Sequence, residues 1–119
     1  DISVPRSAIP DTVRGIRAIS KKYDLPIVVF GHAGDGNLHP NILFDKNDPS
    51  EWERVQGAVS ELFALSVQVG GTLSGEHGVG VLKKPYLESA VGALAIDVMR
   101  SLRQTLDPHG ILNPGKIFD

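Results

Sequence analysis

Two histidines, His32 and His39, stand near the two ends of the glycine-rich stretch FGHAGDGNLHPN (residues 30–41), and Glu76 and His77 adjoin in TLSGEHGVGVLKK (72–84). If the apolar run before the glycines and the alternating run after them pair as an antiparallel hairpin, both imidazoles flank one turn and face one point in space. Glu76 would complete two histidines and a carboxylate, a nitrogen and oxygen set that leaves room for a substrate on zinc or a similar divalent ion. His77 would then be free to act as a base. Gly34, Asp35, Gly36 and Asn37 suit positive φ, and Asp35 can orient a ligating imidazole from behind. A plainer reading stands beside this one: histidines around a turn are often exposed polar residues, and His77 alone is more often a hydrogen-bonded structural histidine. Spacing leaves both open.

Other motifs carry less chemistry. GEHGVGVLKK does not have the spacing of a dinucleotide fingerprint, and no clear β-branched strand precedes it. Lys83 and Lys84, adjacent at a helix start, are expected to face water. His109, in the tail turn DPHG, reads as structural or exposed, and Arg6, Arg100 and Arg103 form no usable pattern. The chain has no cysteine, which removes disulfides, thiolate nucleophiles and sulfur ligands.

The elements that must position these residues follow from periodicity. After the strand-like DISVP, Ser7 can cap a helix on Ile9, Val13, Ile16, Ile19 and Tyr23, which Asp24 and Pro26 end. PIVVF then reads as a central strand. In LHPNILF, Leu38, Pro40, Ile42 and Phe44 alternate with His39, Asn41 and Leu43 as the two faces of a second strand. Asp48, Pro49 and Glu51 start a helix with a buried stripe of Trp52, Val55, Val59, Leu62 and Phe63, ending at Gly70 and Gly71. A last helix is expected from about Glu88 to Leu106 on Val91, Leu94, Ala95, Val98 and Leu102, followed by a turn-rich tail. The order strand, helix, strand, strand, helix predicts an α+β fold, helices on one face of an antiparallel sheet.

With 119 residues, 41% hydrophobic and 22% charged, the chain is one domain's worth of ordinary globular composition. A net charge of −2 supplies no field for nucleic acid or an anionic membrane. No stretch approaches a membrane span or a signal peptide, and the missing cysteines point to the cytoplasm. The start at Asp1, without methionine and already strand-like, leads us to expect a piece of something longer.

GHAGDGNLHPNI, GGTLSGEHGVGVLKKPYL and DPHGILNPGKIF, in this order and at these separations, closely resemble the C-terminal domain of the FAD-linked oxidases, from DISVP to the last residue. That family includes the glycolate oxidase flavoprotein subunit, D-lactate dehydrogenases and D-2-hydroxyglutarate dehydrogenase. The resemblance implies a ferredoxin-like substrate domain of which residues 1–119 form the later half, and a separate FAD-binding domain outside this chain. It implies an FAD-dependent oxidation of a small 2-hydroxy acid to the 2-oxo acid. It also implies a divalent ion, zinc or manganese, on His32, His39 and Glu76, with His77 as general base. By the same resemblance Asn41 positions the substrate and Asn113, in LNPGK, approaches the flavin. Pro40 departs from the family, where another apolar residue often follows the second histidine. As partners the resemblance leaves an iron–sulfur or other electron-transfer subunit, a second copy of the chain, and peripheral membrane association of the full enzyme open. Two competing readings remain: a zinc-dependent hydrolase on the same ligands, and a non-catalytic assembly domain.

Overall fold

The structure, a computed structural model, describes residues 1–118. The chain divides into two compact units, Asp1–His77 and Gly78–Asp119. In the first, β1 (Ile2–Ser3), α1 (Ile9–Tyr23), β2 (Ile27–His32), β3 (Asn37–Ile42) and α2 (Pro49–Gln68) follow the predicted order. The sheet runs β1-β3-β2 and is antiparallel throughout. Thr72 adds an isolated antiparallel bridge to Ser3 beside β1. The α+β expectation therefore holds, but PIVVF forms an edge strand and not the central one, because β3 sits between β1 and β2.

Period-two alternation divides the sheet. Ile27, Val29 and Ile42 pack with Ile16 and Ile19 of α1, Leu25, and Val55, Ala58 and Leu62 of α2, which form the buried core. The opposite face carries Val28, Phe30 and His32 across from Asn41, His39 and Asn37. Pro40 causes no break in β3, because β1 pairs only as far as Leu38 and leaves that stretch of β3 one ladder neighbour.

Local chemistry corrects several boundaries. Ser7 does not cap α1: a 3-10 turn, Arg6–Ala8, runs straight into the helix, so Ser7 lies within helical backbone and Ala8 occupies the cap without a side-chain bond. Asp24 ends α1 in a left-handed conformation, at φ 50°. Asp48 caps α2 as expected, accepting the Ser50 N–H, with Pro49 opening the first turn; Glu51 accepts from the Asp45 N–H at 2.6 Å in place of closing a capping box. Trp52 is not in the core but 47% exposed, its ring 5.6 Å from that of Phe44.

In the second unit the single expected helix is two, α3 (Leu87–Val91) and α4 (Ala93–Leu106), because Gly92 turns the backbone to φ 82° between them. The predicted buried stripe is largely exposed: Leu94, Val98 and Leu102 face solvent, and Ile96 instead joins Leu87 and Phe118 in a small core. Lys83 also departs from expectation. It is buried, and burial holds its ammonium pKa below the usual lysine range.

Candidate metal centre

The β2–β3 hairpin places the two histidines as spacing suggested, with a register that explains how. His32 pairs with Asn37, and His39, two residues further along β3, shares their face. Their rings are edge-on, with centroids 5.7 Å apart. Of the four turn residues expected to favour positive φ, only Gly36 adopts it, at 72°; Asn37 already belongs to β3. Glycine is required there, since a Cβ would lie 1.9 Å from the Val4 carbonyl oxygen. Asp35 serves the hairpin through its backbone, donating to the His32 carbonyl at 3.0 Å, and among the described residues its carboxylate bonds to no imidazole.

The third and fourth groups arrive from the far end of α2. Buried Ser66 donates its hydroxyl to the Thr72 carbonyl at 2.7 Å and accepts the Gly71 N–H on its own carbonyl, which turns the chain back along β1. The loop 74–77 thereby crosses the polar face of the sheet. Glu76 Oε1 lies 3.0 Å from His39 Nε2, 3.6 Å from His32 Nε2 and 3.8 Å from His77 Nε2. The His77 ring stacks on that of His39, centroids 5.1 Å apart, and Phe30 flanks His39 on another side at 5.4 Å. His39 is buried, whereas the side chains of His32 and His77 are 61% and 64% exposed. One imidazole is thus fixed by packing and two are open to solvent.

This donor set suits a borderline divalent ion. Two ligands held about 2.0–2.1 Å from zinc at a tetrahedral angle stand roughly 3.4 Å apart, and the two His–Glu separations of 3.0 and 3.6 Å bracket that value. A second grouping overlaps the first, in which Asp1, His39, Glu76 and His77 offer donor atoms all within 4.8 Å of one another. His39 and Glu76 belong to both. Asp1 was missed from the sequence, although the alternation in DISV and its register one step beyond Ile2–Leu38 set it beside His39. Asn37 was also missed as part of the site. It is buried beneath the loop, its Oδ1 has no hydrogen-bond partner among the described residues, and a Cβ on Gly75 would lie 2.3 Å from that oxygen.

Asn41 lies exposed on the same sheet face, opposite Val28. Asn113 belongs to the second unit, where it takes a left-handed φ of 47° in the tail after α4. There the Asp107 carboxylate accepts the Ile111 and Leu112 N–H groups at 3.0 and 2.9 Å, the Leu112 bond being the largest cause of its lowered pKa.

A sequence profile described as "FAD linked oxidases, C-terminal domain" matches residues 1–117. The chain belongs to that family. It is 50% identical over 118 residues to the glycolate oxidase subunit GlcD of Bacillus subtilis (strain 168), covering 99% of this chain and 25% of that protein. The GlcD subunit of Escherichia coli (strain K12) is 41% identical over 116 residues, 98% of this chain and 23% of that protein. A probable mitochondrial D-lactate dehydrogenase of Danio rerio is 40% identical over 121 residues, covering 100% of this chain and 24% of that protein. This FAD-linked oxidase domain thus spans about a quarter of the length of these relatives.

Proposed function

We propose that this chain is the metal-binding and substrate-facing part of an FAD-dependent 2-hydroxy-acid dehydrogenase, the later part of its substrate domain. One observation carries the proposal: three imidazole Nε2 atoms converge on a single carboxylate oxygen, Glu76 Oε1, on an open sheet face. His32, His39 and Glu76 would hold a zinc or manganese ion. When bound, that ion supplies positive charge beside the substrate hydroxyl, and FAD, carried by the partner domain, supplies the two-electron acceptor.

The protein's own groups do the rest. His77 is solvent-open beside Glu76, and its Nε2 takes the hydroxyl proton, which a neutral imidazole can accept near neutral pH. Asn41, two residues along β3 from His39, is placed to hydrogen-bond the substrate on the same face. Phe30 and Val28, exposed on that face, offer apolar surface to one side of the substrate. Asn113 is assigned to the flavin by resemblance. Glycolate, D-lactate and larger 2-hydroxy acids are all candidate substrates, and an electron-transfer subunit and a second copy of the chain are candidate partners. Family membership favours the oxidoreductase over a hydrolase or an assembly-only domain. Among the described residues no helix is long and apolar enough to cross a membrane.

The test is metal content by elemental mass spectrometry of the flavoprotein that carries this domain. About one equivalent of zinc or manganese is expected, lost in His32→Ala, His39→Ala and Glu76→Ala and kept in His77→Ala. A fully active flavoprotein with no bound metal would end the metal-assisted reading.

A further inference from the structure

Asp1 stands among the metal-competent groups, yet its carboxylate is already engaged. Oδ1 accepts the N–H groups of Gly75 at 3.1 Å and Glu76 at 3.2 Å. Oδ2 accepts the Ser74 hydroxyl at 2.6 Å and the N–H groups of Gly75 and His77, each at 3.2 Å. A carboxylate offers about four lone-pair sites, and these donors claim all of them. Three successive N–H groups turned inward on one anion form a nest of the kind that binds anions in other loops. Here the anion comes from the protein itself.

We propose that Asp1 is a positioning residue and not a metal ligand: its carboxylate latches the 74–77 loop onto the sheet and so fixes where Glu76 and His77 present their side chains. Two features of the same sheet face hold the loop. Asp1 fastens its backbone, and Asn37 lies against Gly75, where a Cβ would come within 2.3 Å of Oδ1 and within 2.4 Å of Cγ. Only glycine allows the loop this low over β3. Asn37 opens β3 and Asp1 immediately precedes β1, and these two strands pair through Ser3 with Asn37 and Ile2 with Leu38, so the loop is fastened to the sheet. Without the latch, Glu76 would remain on a loop rich in glycine with little else to aim it. The inference deepens the metal-centre reading and rests on it for the consequence at the metal, but the latch itself is open to test without metal.

The experiment is amide hydrogen exchange on the metal-free flavoprotein, followed by zinc titration against a competing chelator, for wild type, Asp1→Asn and Asp1→Glu. In Asp1→Asn the amides of residues 75–77 should exchange at least about tenfold faster, with α1 and the β2–β3 hairpin unchanged. Zinc affinity should fall about 10- to 100-fold without vanishing, as for groups that orient ligands. Asp1→Glu, which keeps the charge, should recover part of both. Unchanged exchange in the loop would overturn the latch, and so would complete loss of zinc with the loop still protected, which would make Asp1 a ligand. If Asp1→Asn fails to fold, Ser74→Ala removes one donor from the other side and should still speed exchange at residues 75–77 by a few-fold; no change there would also overturn the proposal. Faster loop exchange in a protein that binds no zinc at all would sustain the latch while removing the metal reading.

Discussion

His39 and His32 share a sheet face but not an environment, and substitution should separate them. His39 is 7% exposed and packed among the rings of Phe30, His32 and His77, so in metal-free protein His39→Ala should cost about 1–3 kcal/mol of stability. His32→Ala, at an exposed side chain, should cost within about 0.5 kcal/mol, because it removes little packing. Urea unfolding of the two variants reads the difference, and equal losses would contradict the contrast in burial. His77 separates in another way. On the role proposed for it, removing His77 as general base should lower turnover by about 10²–10⁴, with any bound metal retained in His77→Ala. Steady-state kinetics beside elemental analysis checks both halves.

The hairpin and the two helices behind it were legible because their signals are local. His32 and His39 lie seven positions apart around one turn, and the helix of α2 announces itself through Asp48 and Pro49. Asp1 was hidden because its partners lie more than 70 positions away, and no period links them. The failure at α4 has a different cause. Its apolar residues do recur on one face, but periodicity reports which residues share a face and never what covers them. Two substitutions test the elements that were read correctly. Leu62→Ala, in the core between α1, α2 and the sheet, should cost about 2–5 kcal/mol through the cavity it leaves. Gly36→Ala should cost at least about 2 kcal/mol, from a left-handed φ and a clash with the Val4 carbonyl, and should loosen the ends of β1 and β3 together. Denaturation midpoints, with exchange at Val4 and Asn37, distinguish the two effects.

Acid should weaken both compact units through carboxylates that are not part of the candidate site. Hydrogen bonds from Ser50 lower Asp48, bonds from Lys22 and then Tyr23 lower Glu61, and the Leu112 N–H leads the lowering of Asp107. Each has a folded pKa below its ordinary value of 3.8 for the aspartates or 4.5 for Glu61, so its stabilisation is complete above that value and is lost as pH falls through the folded one. Thermal melts should therefore decline from about pH 4.5 downward, and Glu61→Gln should flatten part of that decline. Both compact units contribute, since Asp48 and Glu61 lie in one and Asp107 in the other. Asn37 bears on the protein's history as well as its energetics. A buried acceptor without a donor costs about 1–3 kcal/mol, and among the described residues the Asn37 Oδ1 is such an atom, in the floor of the candidate site. A population selected for heat survival alone, with no demand on turnover, should abandon this asparagine early. One selected for turnover should keep it and accumulate its compensations elsewhere, in the core around Leu62 or along the exposed face of α4.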